Sequence, residues 1–476
     1  MKKVLAFVFV LVMILSLAAC DKTPAPQETG SPADTAAPAT QKPTTPGSST
    51  PAEETQRPIE TLVVAHKGDP TSLCHLTVTF GSANGPIDCF IYDRLLDYNA
   101  ETNDVEPMLA TKWEFIDDTH IKFTLRDDVV AHDGSPFTAS DVIYTLKTGQ
   151  DSGKLANYYG NFDLAGCEAV DDKTVIIATK SLDPFALYNL SNIPLGMVVE
   201  EAVTNSGTIE DQNLLPDAGT GPYKVVEWIT GSAIKLERNE NYWGETPKLD
   251  KAVFKTITDE DALIMGLQNG EIDVVVPLSS TQYPVIKGND KFAVDDPVAT
   301  RGEFFQFNLE RPVFKDKAVR KAIAMCIDRE GFANTICNGL DAPSYGVYSD
   351  ILSYGGIEGL SPEVAKMDVE GAKALLKDAG YADTNGNSIL DKDGVELSFE
   401  VVLYSTYTAQ IQMLEVLQNT LKDLGVEMKI KALETPNDFV HAGNFDLASV
   451  SYGMAPTGNP QYFINLMFAS TGSSNF

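Results

Sequence analysis

The chain has 476 residues, with 36 Lys and Arg against 67 Asp and Glu and a formal net charge of −31. So acidic a surface repels nucleic acid and anionic lipid, and excludes both as electrostatic partners. Length excludes a single hydrophobic core, because the 419 residues from Pro58 to Phe476 need at least two.

The first twenty residues place Lys2 and Lys3 before an apolar run from Val4 to Leu17, followed by Leu17-Ala-Ala-Cys20. That run is too short and one-sided for a membrane span and reads as a signal peptide. Leu17-Ala-Ala-Cys20 resembles a bacterial lipobox, which implies cleavage before Cys20 and lipidation of its thiol; an ordinary signal peptide is the alternative. Residues 21–57 hold seven prolines among Thr, Ser and Ala, with no aromatic and no aliphatic side chain larger than Ala. Such a segment cannot bury enough apolar surface to offset its ordering entropy. A disordered tether is expected, reaching about 115 Å when stretched in polyproline form.

Residues 61–66 read as a first strand, and 87–98, ending YDRLLDY, as a helix or helical turn. Residues 113–116 and 121–125 flank Asp117-Asp-Thr119 as a hairpin, with Ile121, Phe123 and Leu125 on one face. Thr138-Ala-Ser-Asp141 is a capping box opening a helix that buries Val142, Ile143 and Leu146. His132 and Asp133 have the look of a catalytic pair, but no nucleophile or metal-ligand partner lies beside them in sequence. They read as a turn whose imidazole and carboxylate satisfy nearby backbone. Residues 171–179 supply another strand and 183–190 a short helix.

Residues 224–228, 234–238 and 252–257 form a strand meander. Thr258-Asp-Glu-Asp261 then caps a helix that carries Ala262, Leu263 and Leu267 inward, and Gly270 ends it. The apolar run 272–276 predicts a strand covered on both faces. From 301 the pattern changes, with a strand over 301–308 and a long helix from Asp316 through Ile323 and Ile327 to Ile336. Helices over 369–379, ended by Gly380, and 408–424, stopped by Gly425, alternate with strands over 397–403, 426–431 and 445–451, with a short helix capped by Thr435-Pro436. That alternation predicts parallel pairing with right-handed crossovers, and hence an α/β fold. Ligands gather where such strands end, here at Tyr404-Ser-Thr-Tyr407 and at 452–458.

Three stretches carry a family resemblance in order. LATKW, FTLR and HDGSPFTASDVIY come first, then GTGPYKV, LERNENYWG and GEID, then FN followed by FKDKAVRKAIAMCIDRE. They are similar to the extracytoplasmic solute-binding proteins of peptide and nickel ABC transporters, and SYGMAPTGNPQYFINLMFASTGSSNF resembles that family's final motif. The resemblance implies a large two-lobed periplasmic-binding-protein-like fold with an extra subdomain in lobe one. The expected limits are 1–20 for the signal peptide, 21–57 for the tether, 58–298 for lobe one with its insertion at about 99–210, and 299–476 for lobe two. It also implies that members continue beyond a position equivalent to Phe476, so an incomplete second lobe is expected. Its implied partners are a peptide or other small solute, the permease subunits of an ABC importer, and the membrane through a lipid anchor only; a monomer is expected, outside the cytoplasm.

Tyr404, Tyr407 and Tyr452 suit a cleft wall, because tyrosine offers apolar area with one hydrogen-bonding tip at small entropic cost. Ser405, Thr406 and Asn459 lie beside them, and backbone amides from Thr406 to Thr408 at a helix start could cradle a carboxylate. In lobe one, Phe80, Gly81 and Ser82 fall where the resemblance places ligand contacts. Two departures shape the ligand. Pro456 stands where peptide-binding relatives often carry an Asp for the ligand's amino terminus, and Ser405 and Thr406 stand where dipeptide binders place an Arg. A longer peptide held through its backbone, or another solute, is favoured over a short zwitterionic peptide.

No G-x-S-x-G, HExxH or phosphate-loop motif occurs, so no catalytic residue, metal site or cofactor is expected. Beyond Cys20, five cysteines without a CxxC argue against a disulfide framework, and Cys326 and Cys337, eleven residues apart on one predicted helix, are separated by about 16 Å of rise. Asp383, Asn385, Asn387 and Asp391 are spaced like a calcium loop. Ser388 replaces the sixth-position glycine and Gly394 the closing glutamate, so a polar turn is favoured. A nickel or metal-chelate receptor on the same fold and a secreted hydrolase are the alternative functions.

Overall fold

The computed structural model describes residues 61–78, 84–213, 216–349, 351–352, 354–355, 362–470, 472 and 474–475. The expected signal peptide with Cys20, the tether, and Phe80, Gly81 and Ser82 lie outside the described residues.

Along the chain, β1 (Thr61–His66) buries Val63, Val64 and Ala65. Helix α1 (Gly85–Ile91) follows, then the hairpin β2 (Leu96–Asn99) and β3 (Asp104–Pro107). The helix expected over 87–98 therefore ends early. Tyr92 swings to extended backbone, while the Asn99 side chain accepts from the amides of Glu101 and Thr102 to fold a turn, which Asn103 completes at φ 55°. An apolar run as short as Leu95-Leu96 fits either period.

Next come β4 (Ala110–Phe115), β5 (His120–Leu125), α2 (Ala139–Ser152), α3 (Ala156–Tyr159), β6 (Glu168–Asp171), β7 (Thr174–Ala178) and α4 (Ala186–Leu190). The hairpin and the Thr138–Asp141 capping box form as the sequence predicts, with Ile121, Phe123, Leu125, Val142 and Leu146 buried. These strands make a separate antiparallel sheet in the order β4-β5-β7-β6.

The meander β8 (Tyr223–Ile229), β9 (Ala233–Arg238) and β10 (Lys251–Thr256) returns to β1, and helix α5 (Glu260–Gln268) leads to β11 (Val274–Val275). The sheet order is β11-β1-β10-β9-β8, parallel across the first two pairings and antiparallel across the rest. Two expectations need correction here. Asp259, not Thr258, caps α5 by accepting from the Ala262 amide, so Leu263 and Ile264 turn inward, Leu267 is half-buried and Ala262 is exposed. The strand at 272–276 shrinks to two residues at the sheet edge with Val274 and Val276 exposed, because Pro277 brings no N–H to continue a ladder.

The second sheet combines β12 (Arg301–Phe307) with three later strands. Helices α6 (Lys317–Met325) and α7 (Val369–Asp378) precede the short pair β13 (Asp391–Lys392) and β14 (Val395–Glu396). Then follow β15 (Ser398–Tyr404), α8 (Thr408–Asp423), β16 (Glu427–Leu433), α9 (Pro436–His441), β17 (Leu447–Gly453) and α10 (Pro460–Met467). The order is β12-β17-β15-β16, with β15 parallel to both neighbours and β12 antiparallel to β17. The long helix expected from Asp316 to Ile336 is broken after Met325. Asp328 takes the Gly331 amide to start a fresh turn, and residues 332–336 wind as a π-turn, so Cys326 and Cys337 do not share a helix.

One core cluster runs from Val64 to Phe254 around α1, α2 and the first sheets; another, from Val313 to Leu447, packs α6, α7 and α8 on the second sheet. Each lobe thus has its own core.

Candidate ligand-binding site

Because β15 and β17 run parallel and β12 opposes them, Tyr404, Gly453 and Arg301 all reach one edge of the second sheet. Alternation puts Val402 and Tyr404 on the same face as Ala448, Val450 and Tyr452. Deeper in, Val402, Ala448 and Val450 pack with Phe445 and Val440; at the rim that face ends in tyrosines. Tyr404 lies 5.1 Å, centroid to centroid, from Tyr407, and burial raises the Tyr404 hydroxyl above its ordinary range. Tyr452 stacks on Phe304 at 5.9 Å and its hydroxyl lies 3.3 Å from Ser474 Oγ. The structure therefore brings Tyr404, Tyr407 and Tyr452 to one rim, half-buried, with Ser405 and Thr406 exposed beside them.

Two expected roles change. The Tyr407 amide donates to Tyr404 O at 3.1 Å and the Thr408 amide to Thr406 O at 3.1 Å, so these donors serve the turn and not a carboxylate. Asn459 is buried and both ends of its carboxamide are engaged: Oδ1 accepts from the Gln461 amide at 2.9 Å, and Nδ2 donates to Asn189 Oδ1, on the first lobe, at 2.8 Å.

Sequence reading missed Arg301 and Glu303. On β12 they precede Phe305 and Phe307 at alternate positions, and both phenylalanines pack against the second core. The signal available was a charge continuing a core-facing alternation. Arg301 Nε donates to Ser451 Oγ at 2.9 Å and Nη2 to Ser451 O at 3.1 Å. Glu303 is open to solvent, yet surrounding protein withholds enough water to raise its carboxyl above the usual range, while a hydrogen bond from Gln410 pulls the other way.

His132 and Asp133 are spent structurally. His132 Nε2 lies 3.1 Å from Gly221 O and Nδ1 3.4 Å from Pro216 O, while Asp133 accepts from Ser135 and Asn205. The loop from Asp383 also satisfies itself. Asp383 accepts the amides of Gly386 and Ser388, and Asn385 and Asn387 both donate Nδ2 to Glu396 Oε1, at 2.9 and 2.8 Å. Carboxamide N–H groups thus stand where a cation would neutralise Glu396. Millimolar calcium is expected to leave the melting temperature of the wild-type chain unchanged against a chelator control. Asn385→Asp/Asn387→Asp, which faces carboxylates against Glu396, should melt lower in chelator and recover with calcium. A calcium-dependent rise in the wild type would contradict this reading.

Two α/β lobes, each with its own core, and tyrosines at the strand ends of one of them are the architecture of the two-lobed binding proteins. The chain belongs to the bacterial extracellular solute-binding proteins, family 5, whose middle region matches residues 104–475. It is 28% identical over 388 residues to the oligopeptide-binding protein AppA of Bacillus subtilis (strain 168), covering 78% of this chain and 69% of that protein. Against the nickel-binding protein NikA of Staphylococcus aureus it is 24% identical over 379 residues, covering 79% and 72%. The solved structure of AppA with a nonapeptide superposes with a TM-score of 0.69 at 26% identity, over 83% of this chain and 79% of that one. Family members are binding proteins and not enzymes, and no helix among the described residues is long and apolar enough to cross a membrane.

Proposed function

We propose that this chain captures an oligopeptide between its lobes and delivers it to the permease of an ABC importer, with ATP hydrolysed by a separate subunit. The observation that carries this is the rim of Tyr404, Tyr407 and Tyr452 at the strand ends, which offers apolar area and hydroxyl tips to a backbone-held chain. Similarity to a protein whose structure holds a nonapeptide supports it. In this reading the lobes divide near Val298, residues from about 99 to 210 form an insertion in lobe one, Phe80, Gly81 and Ser82 contribute ligand contacts from lobe one, and a monomer is tethered through lipidated Cys20 and residues 21–57.

Native mass spectrometry of protein purified without denaturant is the direct test. A ladder of peptide masses is expected; a metal complex as the bound species would move the reading to the nickel receptors, and turnover of a peptide would move it to a hydrolase. Given a peptide, Tyr404→Ala should weaken binding roughly tenfold, since an exposed-rim aromatic gives up its contact area without a core cavity. Tyr452→Ala should weaken binding comparably and also lower the melting temperature, because Tyr452 packs with Phe304 and Phe463.

A further inference from the structure

The turn Pro456–Gly458 and the helix after it touch the first lobe directly. Thr457 Oγ1 lies 2.8 Å from Tyr188 O and 2.7 Å from Pro456 O, its one proton shared between the two carbonyls, and Asn459 Nδ2 donates to Asn189 Oδ1 at 2.8 Å. Tyr462 stacks on Tyr158 with centroids 5.7 Å apart and planes 27° from parallel, both side chains half-buried. Gly458, at φ 72°, passes so near Tyr98 that an added Cβ would lie 2.9 Å from its hydroxyl.

Both sides of this contact are built in advance. On the second lobe, the Tyr354 hydroxyl donates to Gly458 O and the Tyr348 hydroxyl to Pro460 O, each at 2.6 Å, while Asn459 Oδ1 caps α10. On the first lobe, Asp183 accepts from Asn189 Nδ2 at 3.3 Å, which leaves Asn189 Oδ1 turned toward the partner lobe. The Asn459 and Asn189 amides are thereby oriented oppositely, donor to acceptor. Thr457 itself sits at φ 50° on the left-handed side, a conformation a branched residue adopts only under local constraint.

We propose that Thr457, Asn459 and Tyr462 are a latch that holds the lobes shut through Tyr188, Asn189 and Tyr158, and that they set ligand affinity by setting closure, without touching the ligand. The inference rests on the reading of this chain as a capture protein. A contact made only in the closed form contributes to closure with or without ligand, and apparent affinity scales with the fraction of closable protein.

Asn459→Asp isolates the device. Aspartate caps a helix as well as asparagine, so α10 keeps its start, but a carboxylate would face Asn189 Oδ1 with no donor between them. Tyr158→Leu removes the ring contact from the other lobe and carries the test if the first variant fails to fold. Small-angle scattering of ligand-stripped protein should show wild type compact and both variants extended, with the double variant little more extended than either. Retention of a mixed nonapeptide pool after rapid dilution should show dissociation accelerated about tenfold or more in each variant, with association no slower than in wild type. Wild-type scattering curves, or unchanged dissociation, from folded variants would overturn the latch. A wild type that retains no nonapeptide overturns the peptide reading instead, and the scattering comparison still decides the latch.

Discussion

Gly221→Ala is expected to lower the unfolding free energy by about 3 kcal/mol or more, which urea titration at neutral pH would read as an earlier midpoint with an unchanged slope. An added Cβ would lie 2.6 Å from both Ile91 C and Phe90 O, and at Gly219 it would lie 2.2 Å from Ile91 O. These are backbone atoms at the end of α1, so no rotamer change makes room. The crossing is held by the Gly221 amide donating to Ile91 O at 2.9 Å. Around it Asn239 Nδ2 donates to Gly221 O at 3.0 Å, the His132 amide donates to Gly219 O at 2.9 Å, and Thr220 Oγ1 donates to Asp93 Oδ2 at 2.9 Å. Asp93 also takes Trp243 Nε1–H at 2.7 Å, so a strained crossing would disturb a buried carboxylate as well. Gly231→Ala is the control: its φ of 70° costs an alanine about 1 kcal/mol, and nothing lies within 4 Å of the added carbon. A Gly221→Ala loss no greater than that of the control would contradict the crossing argument.

That crossing explains why GTGPY, HDG and NYWG, far apart in sequence, look like one family's signature. Gly219, His132, Asn239 and Trp243 meet at a single node, and its chemistry is hydrogen bonding within the lobe. Local signals were legible in the sequence where one short-range interaction decides them: the reciprocal bonds of Thr138 and Asp141, the left-handed glycines Gly380 and Gly425 that stop helices, the alternation of Ile121, Phe123 and Leu125. Signals failed where a side chain diverts the backbone without changing the apolar period. Asp328 restarts a helix, Asp259 displaces Thr258 as cap and rotates the inward face by one residue, and the apparent helix over 87–98 breaks at Tyr92 into a hairpin whose turn Asn99 folds. The rim tyrosines could be named because strand ends can be counted. Asn459 could be placed near the cleft but not given its role, since nothing in its own neighbourhood of sequence points to Asn189, 270 residues earlier. Glu303 needed the register of β12 against β17 before its position at the rim meant anything.

Acid is expected to destabilise the protein through His75 and His132, both of which burial lowers from an ordinary 6.5 to about 4. His75 is fully buried with Nε2 3.0 Å from Gly196 O, and His132 lies against the carbonyls of Gly221 and Pro216. The folded values lie below the unfolded one, so the stability contributed by keeping these rings neutral is complete above pH 6.5 and is lost as pH falls toward about 4. At pH 5 the unfolded chain holds nearly two more protons on these rings than the folded one, a loss of about 2 kcal/mol for each. Asp88 and Asp93 work in the opposite sense. Burial raises both carboxyls above the ordinary 3.8, so their contribution grows as pH falls and partly offsets the histidines. A difference measurement removes that offset. Wild type and His132→Gln share both aspartates, and glutamine can still donate toward Gly221 O but takes up no proton. The variant should be less stable than wild type at pH 7.5, and the gap between them should shrink by about 2 kcal/mol at pH 5.0, measured by urea titration at both. A gap that stays constant between the two pH values would mean that His132 titrates alike in folded and unfolded chains, and that burial against the two carbonyls does not hold it neutral.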